Sequence, residues 1–524
     1  MRSKTLVKKN LYFDSVSLMK ISSRISALPG VKEAIVGMGT ELNKELLQNM
    51  GILDAEMEKA EPNDLLIGIL AETDETIEKA LVEVEKSFGK KNKPAGDNAG
   101  NAAAFGGVGK FQTIQQIADL NEAYNLAVVS VPGLYAAREC KIALKNKMHV
   151  FLFSDNVTVE EEIELKTLAM DKGLLMMGPD CGTAIINGVP LGFANRVRKG
   201  NIGIVAASGT GLQHITTLVD HLGAGISQAI GTGGRDLSEK VGGKTMFAAL
   251  DALKDDPDTK VVVILSKPPA PAVANKVLDK AKSLGKPVVL CLFGQDKIEG
   301  LGGITQCFDI EETAEKAVSL SLGKKVEFTD AYMKRDAADE FLQTRFPGQK
   351  YLRGIFGGGT LCDEAMITFR RNNITFRSNI PISENERLTD VHKSEGNTFI
   401  DMGDDYFTKG KPHPMIDPSL RNKRIVQDAL EPDTAAIMLD FVLGHGSHHD
   451  PVGVALEAVK EAKAAYKNRK IIWLASVVGT KGDPQDYRGQ IDKLLEAGFI
   501  VSESNVRLAR LAASVVAEIK RIDG

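Results

Sequence analysis

Two short glycine-rich stretches carry the first chemical signal: Ser208, Gly209, Thr210 and Gly211 in one, Gly357, Gly358, Gly359 and Thr360 in the other. Each follows an apolar run of strand character and precedes a helical pattern. Backbone N–H groups therefore converge at a helix start, where aligned peptide dipoles place roughly half a positive charge. An anion is favoured there. Two such starts aimed at one phosphate dianion supply about one positive charge, and one arginine supplies another, so near neutralisation needs no metal. One glycine cluster alone would serve tight packing equally well. Recurrence at the same place in two segments favours a shared phosphate pocket.

The histidines come next. His445, His448 and His449 cluster in GHGSHHDP, but the spacing matches no zinc signature and no Cys or Glu stands at ligand spacing, so no metal is expected. Asp450 followed by Pro451 reads as a helix start. His448 keeps two readings, a proton-transferring or carbonyl-polarising group and a member of a capped loop. His413, between Pro412 and Pro414, is held in a stiff turn that suits positioning. His214 reads as packing, Cys181 and Cys362 as small buried thiols, and Lys267 as a strand-end surface charge. Asp401, Asp404 and Asp405 fit a solvated acidic loop as well as a Mg²⁺ site.

These residues must be positioned by several domains. The 524 residues predict three or four. Residues 1–89 hold three strand-like segments, TLVKKNLY, VKEAIVGM and NDLLIGIL, each followed by a helical pattern, the last with Thr73 as N-cap. A small ferredoxin-like α/β module is expected. Residues 90–111, rich in Gly, Ala, Asn and Lys, read as a flexible linker. From residue 112 short apolar runs alternate with helices, the rhythm of parallel sheets. Segments 199–323 and 350–524 then repeat one another. GIVAASGTG answers to GIFGGGT, VVVILSKPP to AAIMLDFVLG, and GKPVVLCLFG to NRKIIWLASVVG. The growing offset between the copies places an insertion at 395–424, a natural position for a functional or interfacial loop.

Composition bounds the function classes. Lys plus Arg number 65 against 69 for Asp plus Glu, so no basic field exists for nucleic acid or an anionic membrane. Five scattered cysteines without a CxxC pair fit a reduced compartment. The opening MRSKTLVKKNLYFDS lacks a signal-peptide core and no apolar run approaches the ~20 residues of a membrane span, so a cytoplasmic protein is expected.

The motifs also carry a resemblance. SVPGLYAARECKIALKNKMHVFLF, GPDCGTA, NIGIVAASGTG and IGTGGRD make residues 112–322 similar to the α subunit of succinyl-CoA synthetase, and residues 350–522 resemble the ligase portion of its β subunit. Over nearly the whole chain GKPHPMIDPSLRN, DFVLGHGSHHDP and VVGTKGDPQDYRGQ resemble the FdrA family. The likeness implies an incomplete Rossmann-like, CoA-binding-type domain at 112–198 and two flavodoxin-like ligase domains at 199–323 and 350–524. It also implies that two opposed helix starts, at Ser208–Gly211 and Gly357–Thr360, face one phosphorylated group.

FdrA proteins are associated with acyl-CoA synthesis and with oxamate carbamoyltransferase of anaerobic allantoin breakdown, working with partner subunits. Two departures bear on the choice. The segment 89–109 stands where the synthetases carry their first CoA-contacting loop, and FGQDKIEGLGGITQCFD, residues 293–309, lacks the histidine that the synthetases phosphorylate. The expected function is therefore a subunit of oxamate carbamoyltransferase, moving a carbamoyl group between oxamate and phosphate. The alternatives are an NDP-forming acyl-CoA synthetase and a non-catalytic phosphate-binding scaffold. Under the first reading the glycine-rich turns hold phosphate, while His413, His448 and Arg421 act on the carbamoyl group. Arg353, Arg424 and Asp417 then grip the substrate. No cofactor is certain, and CoA enters only with the synthetase reading. The expected partners are phosphate, carbamoyl phosphate, oxamate and further subunits, with neither nucleic acid nor membrane.

Overall fold

The computed structural model describes residues 2–523 apart from 10, 12, 14, 27, 90–112, 120–123, 410 and 467–468. The expected linker at 90–111 lies outside the described residues. The chain divides into two units, one built from residues 1–124 with 130–135 and 408–412, the other from the remainder.

In the first unit strands β1 (Arg2–Lys8), β2 (Val31–Met38) and β3 (Leu65–Ala71) form an antiparallel sheet in the order β1-β3-β2. The central strand, LLIGILA, is apolar on both faces because both are covered. Leu65, Ile67 and Ile69 enter a core with Leu18, Ile25, Ile77 and Val84, while Leu66 packs with Leu47 and Met57 on the other side. Thr73 Oγ1 accepts from Thr76 N at 3.2 Å and starts the helix Asp74–Gly89.

The second unit opens with three parallel strands, β4 (Leu126–Val129), β5 (His149–Leu152) and β6 (Met176–Met177), in the order β4-β5-β6. The hairpin β7 (Thr183–Ile186) and β8 (Val189–Gly192) leaves that sheet. Ile185 pairs antiparallel with Ala229, so the hairpin extends the next sheet instead. That sheet contains β9 (Lys199–Ala207), β10 (Ile226–Gly231), β11 (Val261–Ser266), β12 (Val288–Leu292) and β13 (Thr305–Cys307), ordered β13-β12-β11-β9-β10-β7-β8. The last sheet contains β14 (Tyr351–Phe356), β15 (Arg377–Ser378), β16 (Thr398–Asp401), β17 (Thr434–Val442), β18 (Ile472–Val478) and β19 (Ile500–Ser502), ordered β15-β16-β14-β17-β18-β19.

Both large sheets thus contain the flavodoxin-like order 2-1-3-4-5 in parallel strands. In such sheets ligands settle outside the carboxyl ends of the strands, at the switch beside the first strand. Each glycine-rich turn follows that strand. The register also relocates the extra length of the second copy. Ala206 pairs with Gly231 and Phe356 with Asp401, so the offset grows from 150 to 170 residues before β16. Most of the additional residues therefore precede β16, around β15 and the short turn Glu384–Glu386. The segment 395–424 is not a simple insertion, because it contains a strand of the sheet itself. No helix among the described residues is long and apolar enough to cross a membrane.

Candidate functional site

The leading helices of the two copies, Gly209–His221 and Gly359–Arg371, begin against each other. Ser208 Oγ and Thr360 Oγ1 lie 2.7 Å apart, both residues buried. The first start is capped locally, since Ser208 Oγ accepts from Gly211 N at 3.1 Å. At the second the N-cap residue is Gly358, which has no side chain to offer. Asp440, from the neighbouring strand β17, does that work: its carboxylate accepts from Gly357 N at 2.8 Å and from Gly358 N at 2.7 Å. Two of the amides expected to face a phosphate are therefore engaged by a protein carboxylate. Gly359 and Thr360 follow them without a side-chain cap.

Burial holds the Asp440 carboxyl above its ordinary value, against the lowering effect of Arg421 and the two amides. Arg421 Nη2 donates to Asp440 O at 2.5 Å and lies 3.4 Å from its Oδ1. Its guanidinium sits 5.1 Å from the centre of the Phe441 ring. Arg421 Nε and Asn422 Oδ1 are buried without a hydrogen-bond partner among the described residues, and both residues line a small cavity with Gly357, Pro414 and Asp440. Arg421 thus reaches the second helix start.

His413 also comes to this place. Its Nδ1 accepts from Met415 N at 3.2 Å, which leaves the ring proton on Nε2. Nε2 stands 2.6 Å from where a Cβ on Gly403 would be, a point also 2.9 Å from Gly357 O and 3.1 Å from Asp401 Oδ1. Only glycine leaves room at 403 for the imidazole to approach the turn. Burial pushes His413 down to about 4, so it stays neutral near pH 7 and offers a fixed donor.

Four other residues expected at the site make their contacts elsewhere. Arg353 is the third residue of β14, about 13 Å of strand before Gly357 at 3.3 Å per residue. It donates to Thr434 Oγ1 and pairs with Asp433 at 2.6 Å, at the opposite end of the sheet from the turn. Arg424 is bound to Asp428 at 2.9 Å, Val391 O and Ser394 Oγ, and braces its own helix Ser419–Leu430. Asp417 Oδ1 accepts from Ser419 N at 3.0 Å near the start of that helix. His448 accepts from Asp450 N through Nδ1 and stacks on His449 at 4.3 Å, in the loop that begins the helix Pro451–Tyr466. Burial, then the neighbouring His449, lowers its pKa.

Several charges ring the second helix start: Lys267, expected as a strand-end surface charge, Asp401, expected in a solvated acidic loop or a Mg²⁺ site but only 7% exposed, and Asp363 and Asp440, which the sequence did not single out. Lys267 extends from the end of β11 to Asp363 in the second leading helix, at 2.8 Å. Asp401 ends β16 and Asp440 lies in β17. The usable signal was position, since the carboxyl ends of parallel strands are where such folds bind. His214 bonds Glu503 O at 3.2 Å and is buried, as the packing reading expected. All five cysteines are buried, and burial pushes the Cys181 thiol up to about 12.

Comparisons with known proteins match three segments, and the CoA-binding match falls on the first of the two large sheets, not on residues 112–198. Residues 355–516 match a CoA-ligase model and residues 197–293 a CoA-binding-domain model. Residues 1–104 match a model described as the heavy metal-associated domain of AllF. That segment contains neither cysteine nor histidine, the first being Cys140 and His149. The chain is 47% identical to YahF of Escherichia coli over 521 residues, 98% of this chain and 99% of YahF. It is 26% identical over 195 residues to the α subunit of an ADP-forming succinate–CoA ligase of Staphylococcus epidermidis, spanning 36% of this chain and 62% of that subunit. The same identity relates 155 residues to SauD, a subunit of an ADP-forming sulfoacetate–CoA ligase of Bilophila wadsworthia, across 51% of SauD.

Proposed function

The chain belongs to the family of YahF and is a succinyl-CoA synthetase-like protein of the CoA-ligase type, and from that premise we propose that the junction of its two leading helices binds the phosphate of an acyl phosphate during acid–thiol ligation. The observation that carries this reading is the 2.7 Å contact between Ser208 Oγ and Thr360 Oγ1. It brings two positive helix ends to one place, which favours an anion with negative charge on its oxygens. His413 Nε2–H and the Arg421 guanidinium approach the same turn and suit a carbonyl or a phosphate oxygen.

A second reading, carbamoyl transfer between oxamate and phosphate, has its own support. Carbamoyl phosphate is itself an acyl phosphate, residues 293–309 contain no histidine to relay a phosphoryl group, and the N-terminal model is that of AllF. Charge near the turn after β6 points the same way. Asp155, Asp180 and Asp405 act electrostatically on one another there, with Arg235 and Lys267 opposing them. A cluster of three acids is a poor fit for the diphosphate of CoA.

The test is an activity comparison on the purified chain, alone and with the subunits encoded beside it. Formation of acyl-CoA, ADP and phosphate from a small carboxylic acid, CoA and ATP, or of acyl phosphate and free CoA from an acyl-CoA and phosphate, supports the ligase reading. Phosphate-dependent release of carbamoyl phosphate from oxalurate supports the second. Phosphate binding without either activity in any combination rejects both in favour of a scaffold.

A further inference from the structure

The five parallel strands shared by the two copies match one to one, so the register shows where their likeness stops. Equivalent pairing of Ala206 with Gly231 and of Phe356 with Asp401 makes Gly231 the counterpart of Asp401. Pairing of Val205 with Ile264 and of Ile355 with Leu439 makes Leu265 the counterpart of Asp440 and Val442 that of Lys267. Counting from the N-caps Ser208 and Gly358, Gln213 corresponds to Asp363. At all four pairs one member is uncharged and the other charged. All four charged members, Lys267, Asp363, Asp401 and Asp440, gather at the start of the second leading helix.

Asp440 is fully occupied by two amides and Arg421. The other three leave an opening. Lys267 Nζ stands 3.6 Å from where a Cβ on Gly359 would lie, with its side chain 42% exposed and donors to spare beyond Asp363. Asp401 is only 7% exposed. Its Oδ1 accepts from Gly403 N at 2.9 Å. Its Oδ2 takes no hydrogen bond among the described residues and points at the helix start, 2.6 Å from the Cβ position of Gly359. A side chain at 359 would collide with it.

The charge sum decides what can enter. Lys267 and Asp363 cancel, so an ionised Asp401 would leave the opening negative and repel a phosphate. Burial, the largest influence, pushes the Asp401 carboxyl up to about 7, aided by Asp363 and Asp404 and opposed by Lys267 and the Gly403 amide. The other titratable neighbours do not compete for that proton. His413 stays neutral, and burial keeps the Cys362 thiol protonated.

We propose that the second helix start takes one phosphate group together with one proton. Lys267 holds the anion through its remaining ammonium N–H donors, the amides of Gly359 and Thr360 add hydrogen bonds, and Asp401 in its acid form donates to a phosphate oxygen. This rests on the junction being an anion site. It adds that the two helix starts are unequal, the first supporting and the second binding, and that binding is coupled to proton uptake.

Titration calorimetry on the full chain tests it, with inorganic phosphate for affinity and sulfate for proton counting, because sulfate does not titrate near neutrality. Wild type should bind both and take up a fraction of a proton with sulfate at pH 7.5, read from buffers of different ionisation heat. Lys267→Met should weaken both ligands about tenfold, the scale of one charge-assisted hydrogen bond, and Lys267→Arg should restore most of the loss. Asp401→Asn should still bind sulfate but without proton uptake. Phosphate binding by wild type that neither variant changes, or wild-type sulfate binding without proton uptake, would overturn the assignment while leaving the acyl phosphate reading intact. Absence of phosphate binding in wild type would overturn both. If Lys267→Met or Asp401→Asn fails to fold, the arginine variant and the wild-type proton count still decide.

Discussion

Replacing Asp440 by alanine tests how the junction is held. The first copy needs no acid here, because Ser208 caps its own helix and Leu265 occupies the equivalent strand position. The second copy has Gly358 as N-cap and relies on Asp440 to receive two backbone amides. Hydrogen bonds to a charged acceptor contribute about 1.5–3 kcal/mol each. Their loss would also strand Arg421, 6% exposed and with its Nε already unpartnered, and breaking a buried pair from one side costs about 3–5 kcal/mol. These effects overlap, so Asp440→Ala should lose about 4 kcal/mol. Trp473, the sole tryptophan and 2% exposed in β18, reports the unfolding of this sheet by fluorescence in urea. Adding Arg421→Met to the alanine variant should recover part of the loss, since it removes the stranded charge. A loss below about 1 kcal/mol, or an Arg421→Met cost that is the same with and without Asp440, would refute the carboxylate's role as a cap and counter-charge.

Other outcomes follow from the same contacts. His221 Nδ1 meets Glu503 Oε1 at 3.0 Å across the two copies, and Tyr487 donates to the same carboxylate. The net shift raises His221 despite its burial, so its contribution is present below its ordinary 6.5 and is lost as pH rises through the raised value. Glu503 is lowered despite burial, so its contribution is present above 4.5 and fades in acid. Melting temperature should therefore fall on the alkaline side in wild type, and His221→Gln should flatten that fall; an unchanged profile would contradict the pairing. The five buried thiols, with Cys140, Cys181 and Cys307 each pushed up to about 12 by burial, should resist a chromogenic disulfide reagent at pH 8 until urea is added. Prompt reaction of any of them in the folded chain would count against the packing described. Arg353→Met should cost about 1–3 kcal/mol in urea unfolding while phosphate affinity stays the same, as its contacts at the far end of β14 require.

The repeat of two sheets was readable because its strands are continuous apolar runs ending in glycine-rich turns, and turns of that kind announce themselves in any frame. The N-terminal module was readable for a similar reason: its three expected strand segments correspond to β1, β2 and β3. The extra length of the second copy was misplaced because β16, TFID, is four residues long and flanked by polar sequence, so pattern matching slid past it. Arg353 was misjudged because closeness in sequence to Gly357 is separation in space along an extended strand. Asp440 offered a signal that went unused. An acid inside AAIMLDFV, a run too apolar to be a surface strand, must find partners once buried, and the nearest unsatisfied donors are the amides of an uncapped helix.

The asymmetry of the junction then has a physical reason. Two identical helix starts brought together would place two partial positive charges side by side with little water between them, which is unfavourable unless something negative intervenes. A bound anion would answer that need only while present. Asp440 answers it permanently, by serving two amides of one start, and Ser208 lowers it further by capping the other and meeting Thr360. Once the resting state is neutralised from within, a phosphate must be drawn in by further donors, and Lys267, balanced in charge by Asp363, supplies them from the opposite copy. Asp401 must then add no negative charge, which a proton at its carboxyl secures. The carboxylate that closes the fold and the lysine that opens it to an anion are thus different residues from different strands. A variant can therefore lose one property and keep the other.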